Sequence, residues 1–289
     1  MEQSSNLIQR CVNWLAAHRI MNLLLVLLYF VFIYYMHVPV AQLSVWVMNN
    51  LSLPLYNKVV LSISGLLLIL FVIVMFVQLN KHRDNRLLKI IYLLFTIVII
   101  IIHFYTMFEM NIEIIHIFEY SILALLIFPL TRRFGASVLL AIPFMLVDEW
   151  HQYIVLYPGY VEYFEFNDIM MDMYGCGLAM VSLMICGVRG EWPIQPLWRR
   201  TEFIFLIAGL VAIAIAVHTC FISLYQADKC SNTWLVLSIL HGPITFWSQF
   251  PGRDVIYHIM QPVEAIVSIS VLSIIYFGLD SFRKESNTP

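Results

Sequence analysis

Carboxylates, imidazoles and a phenol recur at helical spacing in three consecutive stretches of this chain. The first stretch holds Glu113, His116 and Tyr120, with Glu119 beside them. Residues three and four apart share a face of an α-helix, so these side chains form one polar stripe. In the second stretch Asp148, His151 and Gln152 share a face, and Glu149 is adjacent. In the third, Asp168, Asp172 and Gly175 line up, and the glycine leaves room for a neighbouring helix to approach. Clustered carboxylates repel one another unless some are protonated, or a metal or a cationic ligand intervenes. Such a set can hold a cation, work as paired acid and base around an imidazole, or pass protons along. A plain network of hydrogen bonds joining helices explains any one of these residues. It explains five carboxylates and two histidines in a single layer less well.

The elements that must position them are membrane helices. The 289 residues are 61% hydrophobic and 12% charged, with a mean hydropathy of +0.84; a soluble domain carries roughly a quarter charged residues. Apolar runs fall near 20–40, 58–79, 87–107, 113–130, 135–153, 166–187, 201–222 and 260–280. Each is close to the roughly 20 residues a helix needs to cross the hydrocarbon. The expected fold is therefore all-α, a polytopic bundle of about eight transmembrane helices. Polar residues extend to about Arg19 and the run beyond is too long for a signal-peptide core, so it reads as a retained span. Residues 41–57 are expected along the interface, and 231–252 as an interfacial or re-entrant piece broken at His241-Gly-Pro243. Trp46, Trp192, Trp198, Trp234 and Trp247 suit interface anchors. Of the five cysteines, Cys220 and Cys230 are expected as ordinary thiols rather than a bridge.

Orientation follows from the basic residues. With the amino terminus inside, thirteen of the sixteen lysines and arginines fall on the cytoplasmic side, leaving Lys58, Lys229 and Arg253 outside. Both termini are then cytoplasmic. Twelve of the eighteen acidic residues fall on the outer side, and several lie within helices. A carboxylate at a helix centre costs about 2.5–3.5 kcal/mol on insertion scales, so such residues face the bundle interior and mark function. The three polar faces are expected to line one outward-facing cavity. The chain divides at its loops into a helix pair with an outer segment (1–86), a four-helix core (87–190) and a terminal pair with a long outer loop (191–289).

Three motifs resemble those of the VanZ-like family. His116-Ile-Phe-Glu119-Tyr120 in a Leu-rich helix is similar to its first motif, a histidine with tyrosine four residues on. Asp148-Glu149-Trp150-His151-Gln152 resembles D-E-x-x-Q, and Asp168, Asp172 and Gly175 resemble the third. The likeness covers about residues 87–190. It departs from the pattern at Pro158-Gly159-Tyr160, where the family often has Pro-Gly-Arg, and at Glu113, where a basic residue is frequent. Both changes make the site more acidic, and Arg253 is a candidate replacement from the last outer loop. The resemblance implies a bacterial plasma-membrane protein of the cell envelope, related to teicoplanin-type glycopeptide resistance. It implies no established reaction.

The expected site is His116, Glu119, Tyr120, Asp148, Glu149, His151, Gln152, Asp168 and Asp172, acting on a lipid-linked or amphipathic ligand at the outer leaflet. Membrane lipids are the other expected partners. A net charge of −2 without a basic block gives no sign of nucleic acid. A membrane-embedded acid/base or metal-dependent enzyme is the alternative. Neither H-E-x-x-H nor H-x-x-E-H occurs, so no metal is assigned, and no cofactor follows from the residues. No serine or cysteine stands next to a histidine as a nucleophile would. A proton- or cation-coupled transporter ranks last, because Ile122–Leu130 and Leu139–Leu146 offer no polar path inward.

Overall fold

A computed structural model describes residues 7–108, 111–156, 162–190, 196–239, 246–249 and 256–281. Glu109, Pro158-Gly159-Tyr160, Trp192, His241, Arg253 and Arg283-Lys284 lie outside these described residues. The described residues form nine α-helices: α1 (Leu7–Ala17), α2 (Arg19–Leu51), α3 (Leu53–Lys81), α4 (Arg86–Met107), α5 (Ile115–Thr131), α6 (Phe134–His151), α7 (Phe166–Ile185), α8 (Thr201–His218) and α9 (Pro262–Phe277). Eight of them, α2 to α9, belong to segments long and apolar enough to cross a bilayer. Each corresponds to one apolar run of the sequence. Inside hydrocarbon a backbone can satisfy its N–H and C=O groups only within a helix or a closed barrel, which is why such runs become helices. We call the face of the bundle at α1 proximal and the opposite face distal.

α7 is the axis of the bundle. All its residues except Leu178 and Ser182 are buried, against α5 most extensively and then α6, α4 and α9. Small residues make this possible. A Cβ on Gly175 would lie 2.5 Å from the Ile117 carbonyl oxygen of α5. One on Gly177 would overlap the ring of Tyr276 on α9. That tyrosine's hydroxyl is 3.2 Å from Thr96 Oγ1, so α4, α7 and α9 meet at one point. In contrast, α3 and α8 show most of their surface, as lipid-facing helices do.

At the proximal face, Asp280 caps α6 by accepting the N–H groups of Phe134 (2.7 Å) and Gly135 (3.0 Å). Arg133 and Glu202 pair at 2.8 Å and tie α8 to the same corner. α1 was not expected from the sequence. It is an 11-residue amphipathic helix whose Asn13 accepts from Arg132 (2.8 Å) and whose Gln9 accepts the Arg189 N–H (2.7 Å).

Three expectations need correction. Residues 41–51 are not a separate interfacial piece; α2 runs unbroken to Leu51, through Pro39, which an apolar membrane helix tolerates. At 1.5 Å per residue its 33 residues reach about 50 Å, against a hydrocarbon core of about 30 Å. The chain turns only at Ser52, with φ of 66°, and Ser44 Oγ bonds Tyr56 OH at 2.6 Å across the corner. Second, the described residues between 219 and 261 hold no re-entrant helix. They build a distal cap with a parallel strand pair, β1 (Ile222–Ser223) and β2 (Leu235–Val236), and an antiparallel one, β3 (Ser248–Gln249) and β4 (Ile256–Tyr257). The fold is therefore all-α in its spans but carries short strands in this cap. Third, Cys220 and Cys230 form a disulfide inside it; ten residues of separation and a turn bring their Cα atoms to 5.9 Å.

Two outcomes check this description. Replacing Gly175 by leucine should prevent α5 from seating on α7, so the variant should fail to give a monodisperse detergent-solubilised protein. Under denaturing, non-reducing conditions a maleimide should label three thiols (Cys11, Cys176, Cys186), and five after reduction.

Candidate functional site

The three polar stripes meet near the distal end of the bundle, on α5, α6 and α7. His116 of α5 stands between the two aspartates of α7. Its Nδ1 lies 3.0 Å from Asp172 Oδ1, and its Nε2 lies 3.6 Å from Asp168 Oδ2, ion-pair range but beyond a hydrogen bond. Tyr120, one turn along α5, donates its hydroxyl to Asp148 Oδ2 of α6 at 3.0 Å. All five side chains are buried. Gly175 allows the α5–α7 contact that brings His116 and Asp172 into register.

Glu119, Glu149, His151 and Gln152 border this centre. Glu149 is buried and accepts the Glu165 N–H at 2.9 Å, which fixes the chain as it enters α7. Glu119 is within electrostatic reach of His116, Asp148 and Asp168. His151 closes α6, and Gln152 opens a π-helical turn, Gln152–Leu156. Such local widening of a helix occurs often at functional sites. Glu113 lies in the 3-10 turn before α5.

A fourth helix contributes residues that the sequence reading missed. His37 of α2 places Nε2 2.9 Å from Asp148 Oδ2, the oxygen that also takes the Tyr120 hydroxyl. The Gln152 amide stands 3.5 Å from the same imidazole nitrogen. Tyr34, one turn back on α2, stacks on His151 with ring centroids 3.6 Å apart. The rings of His37 and His116 are 5.9 Å apart. The signal was present in Tyr34 and His37, polar-tipped residues three apart near the end of an uncharged run. A single histidine there reads equally well as packing, so the sequence does not single out α2.

Glu119, Asp148, Glu149, Asp168 and Asp172 face three imidazoles, His37, His116 and His151. Even with every ring charged, five ionised carboxylates leave an excess of two negative charges. Two such charges are expensive in a low-dielectric interior. The deficit is met by added protons or by a cation. Among the described residues, no three His, Cys, Asp or Glu side chains are grouped as metal ligands would be.

The distal cap sits directly over this layer. Asn167 of α7 is its clamp. The side-chain amide donates to the Met107 carbonyl (2.7 Å) and the His258 carbonyl (3.0 Å), and its Oδ1 accepts the Met260 N–H (3.0 Å). His258 lies in the segment leading into α9. It is buried, with Nδ1 2.6 Å from the Phe246 carbonyl and Nε2 3.0 Å from Glu264. Tyr153 donates to the Val236 carbonyl (2.9 Å), and Phe164 N–H to that of Leu237 (2.8 Å), fastening β2 above the start of α7. Trp234 belongs to this cap, stacked against Phe221 and Trp150.

No family model, curated protein or solved structure matches this chain.

Removing one partner from a buried charged group leaves the rest unpaired and costs about 3–5 kcal/mol. His116→Leu should therefore lower the melting temperature of the purified protein far more than His151→Leu, whose ring stacks without bridging carboxylates.

Proposed function

We propose that this chain is a VanZ-like protein of the bacterial plasma membrane, with both termini cytoplasmic. Its acid–histidine cluster lies toward the outer leaflet, beneath the distal cap, and there binds or alters an amphipathic or lipid-linked ligand. By this route it changes susceptibility to lipoglycopeptide antibiotics. The observation that carries the reading is the joining of the three motif helices by direct bonds, His116 to Asp172 and Tyr120 to Asp148. Packing alone does not require so many carboxyl groups in one buried layer.

Two further features support the orientation. Disulfides persist in oxidising compartments, and the Cys220–Cys230 bridge lies in the distal cap, above the cluster. The excess of basic residues at the proximal ends of the helices fits a cytoplasmic proximal face.

A second reading, a membrane-embedded acid/base enzyme, is favoured by one specific arrangement. His116 between two aspartates and the Tyr120–Asp148–His37 chain are groups through which a proton can be held and passed. On that reading, lipid extracts of expressing cells gain a modified lipid-linked species that His116→Gln cells lack.

Glu119→Gln, Asp148→Asn and Asp172→Asn test the first reading. Each should abolish any resistance to a teicoplanin-type drug conferred on a susceptible host, at unchanged membrane abundance by immunoblot. Full resistance in all three variants would discard the cluster as the working site.

A further inference from the structure

We infer that α1 and the turn between α5 and α6 form a seat for the phosphate of one anionic phospholipid at the proximal face. This seat depends on the reading above only for placing the helices in a bilayer.

α1 lies across the ends of other helices. Its Asn13 accepts from the guanidinium of Arg132, one residue past α5, and its Gln9 accepts the N–H of Arg189, four residues past α7. The Gln9 side-chain amide also donates to Asn13 Oδ1 at 2.9 Å, so both anchors share one edge of α1. Arg10 is exposed and stands three residues before Asn13, hence beside it on the helix surface. Asn13 therefore holds the Arg132 guanidinium within a helical turn of Arg10. Arg132 ends α5 in the left-handed region, with φ of 58°, where glycine is the usual residue. An arginine at that position adds a cation to the edge at the cost of backbone strain.

Apolar residues flank the same edge. Leu7 (73% exposed) and Trp14 (54%) stand three residues before and four after Arg10, whereas Val12, on the opposite side of α1, is buried. A helix so patterned lies in the interface, its apolar residues among the upper acyl chains and its arginine at headgroup depth. Neither α1 nor the segment between α5 and α6 contains an acid. The described acids of the proximal face are engaged elsewhere: Asp84 with Lys89 (3.3 Å), Glu202 with Arg133 (2.8 Å) and Asp280 with the start of α6. Guanidinium groups brought to one edge favour an anion there, and a phosphodiester matches their fork of donors. Phosphatidylcholine carries its own cation beside the phosphate. An anionic lipid does not, and is selected for that reason.

The test titrates the full-length protein in non-ionic detergent with phosphatidylglycerol or phosphatidylcholine of equal chain length and counts retained lipids by native mass spectrometry. One phosphatidylglycerol should be held more tightly than phosphatidylcholine by about tenfold or more, and excess inorganic phosphate should not displace it. Arg10→Gln, a change at an exposed position, should weaken that preference about fivefold. Arg10→Gln with Arg132→Gln should remove it. Lys81→Gln with Arg83→Gln takes the same charge from the α3–α4 turn of the same face and should leave it intact. Equal losses from the two pairs would mean diffuse attraction to a basic surface and would overturn the proposal, as would equal retention of both lipids or displacement by phosphate. Glu2, Glu191 and Glu285 lie outside the described residues, and their triple glutamine variant should retain the preference unchanged. A preference found only in that variant would mean that the chain's own acids fill the seat, which also overturns it. No distal residue enters these measurements, so their failure leaves the resistance reading standing, and failure of that reading leaves this site standing.

Discussion

Two aspartates on a helix that has no exposed side constrain everything else in this bundle. α7 is covered by α4, α5, α6 and α9, so Asp168 and Asp172 cannot turn to water or to headgroups. His116 answers both from a single position. That answer requires α5 to lie against α7 at backbone distance, which Gly175 permits opposite Ile117. Tyr120, fixed by the same helix, then reaches Asp148, and His37 of α2 completes the set. Polar pairing in an apolar solvent thus determines which helices touch and in what register. The aliphatic side chains fill the space that this arrangement leaves.

The cap and the cluster belong to one construction. Asn167 is next to Asp168, so the residue that fastens Met107, His258 and Met260 also fixes where α7 begins. Glu149 holds the N–H of Glu165 two residues earlier. A displacement of the distal segments would therefore be felt at Asp168 through two residues of rigid chain.

Much of this was legible in the sequence, for physical reasons that differ from element to element. The eight spans were readable because hydrocarbon leaves an apolar run no other regular structure. The grouping of polar residues on α5 to α7 was readable because a charge inside such a run needs a reason, and its i, i+3 and i, i+4 neighbours name the face. His37 was not, since one imidazole on an apolar helix carries no such excess, and its partner Asp148 lies 111 residues away. α1 escaped because eleven residues beginning among polar neighbours do not resemble a span. The cap was misread for the opposite cause. Its apolar residues suggested a dip into lipid, whereas the described ones form short strands, with Trp234 stacked on Phe221 and Trp150 and still largely exposed.

The dependence of α7 on its neighbours also bears on how the protein is made. Two aspartates make α7 a poor candidate for leaving the translocon alone, since each adds an insertion penalty that its methionines and small residues offset only weakly. α5 and α6 precede it in synthesis and already carry His116, Tyr120 and Asp148. They can wait beside the translocation channel as a half-built receptor, and α7 then enters the membrane as their guest. Mutations in α5 would on this view surface first as a defect of biogenesis, with α7 stranded on the wrong side of the bilayer.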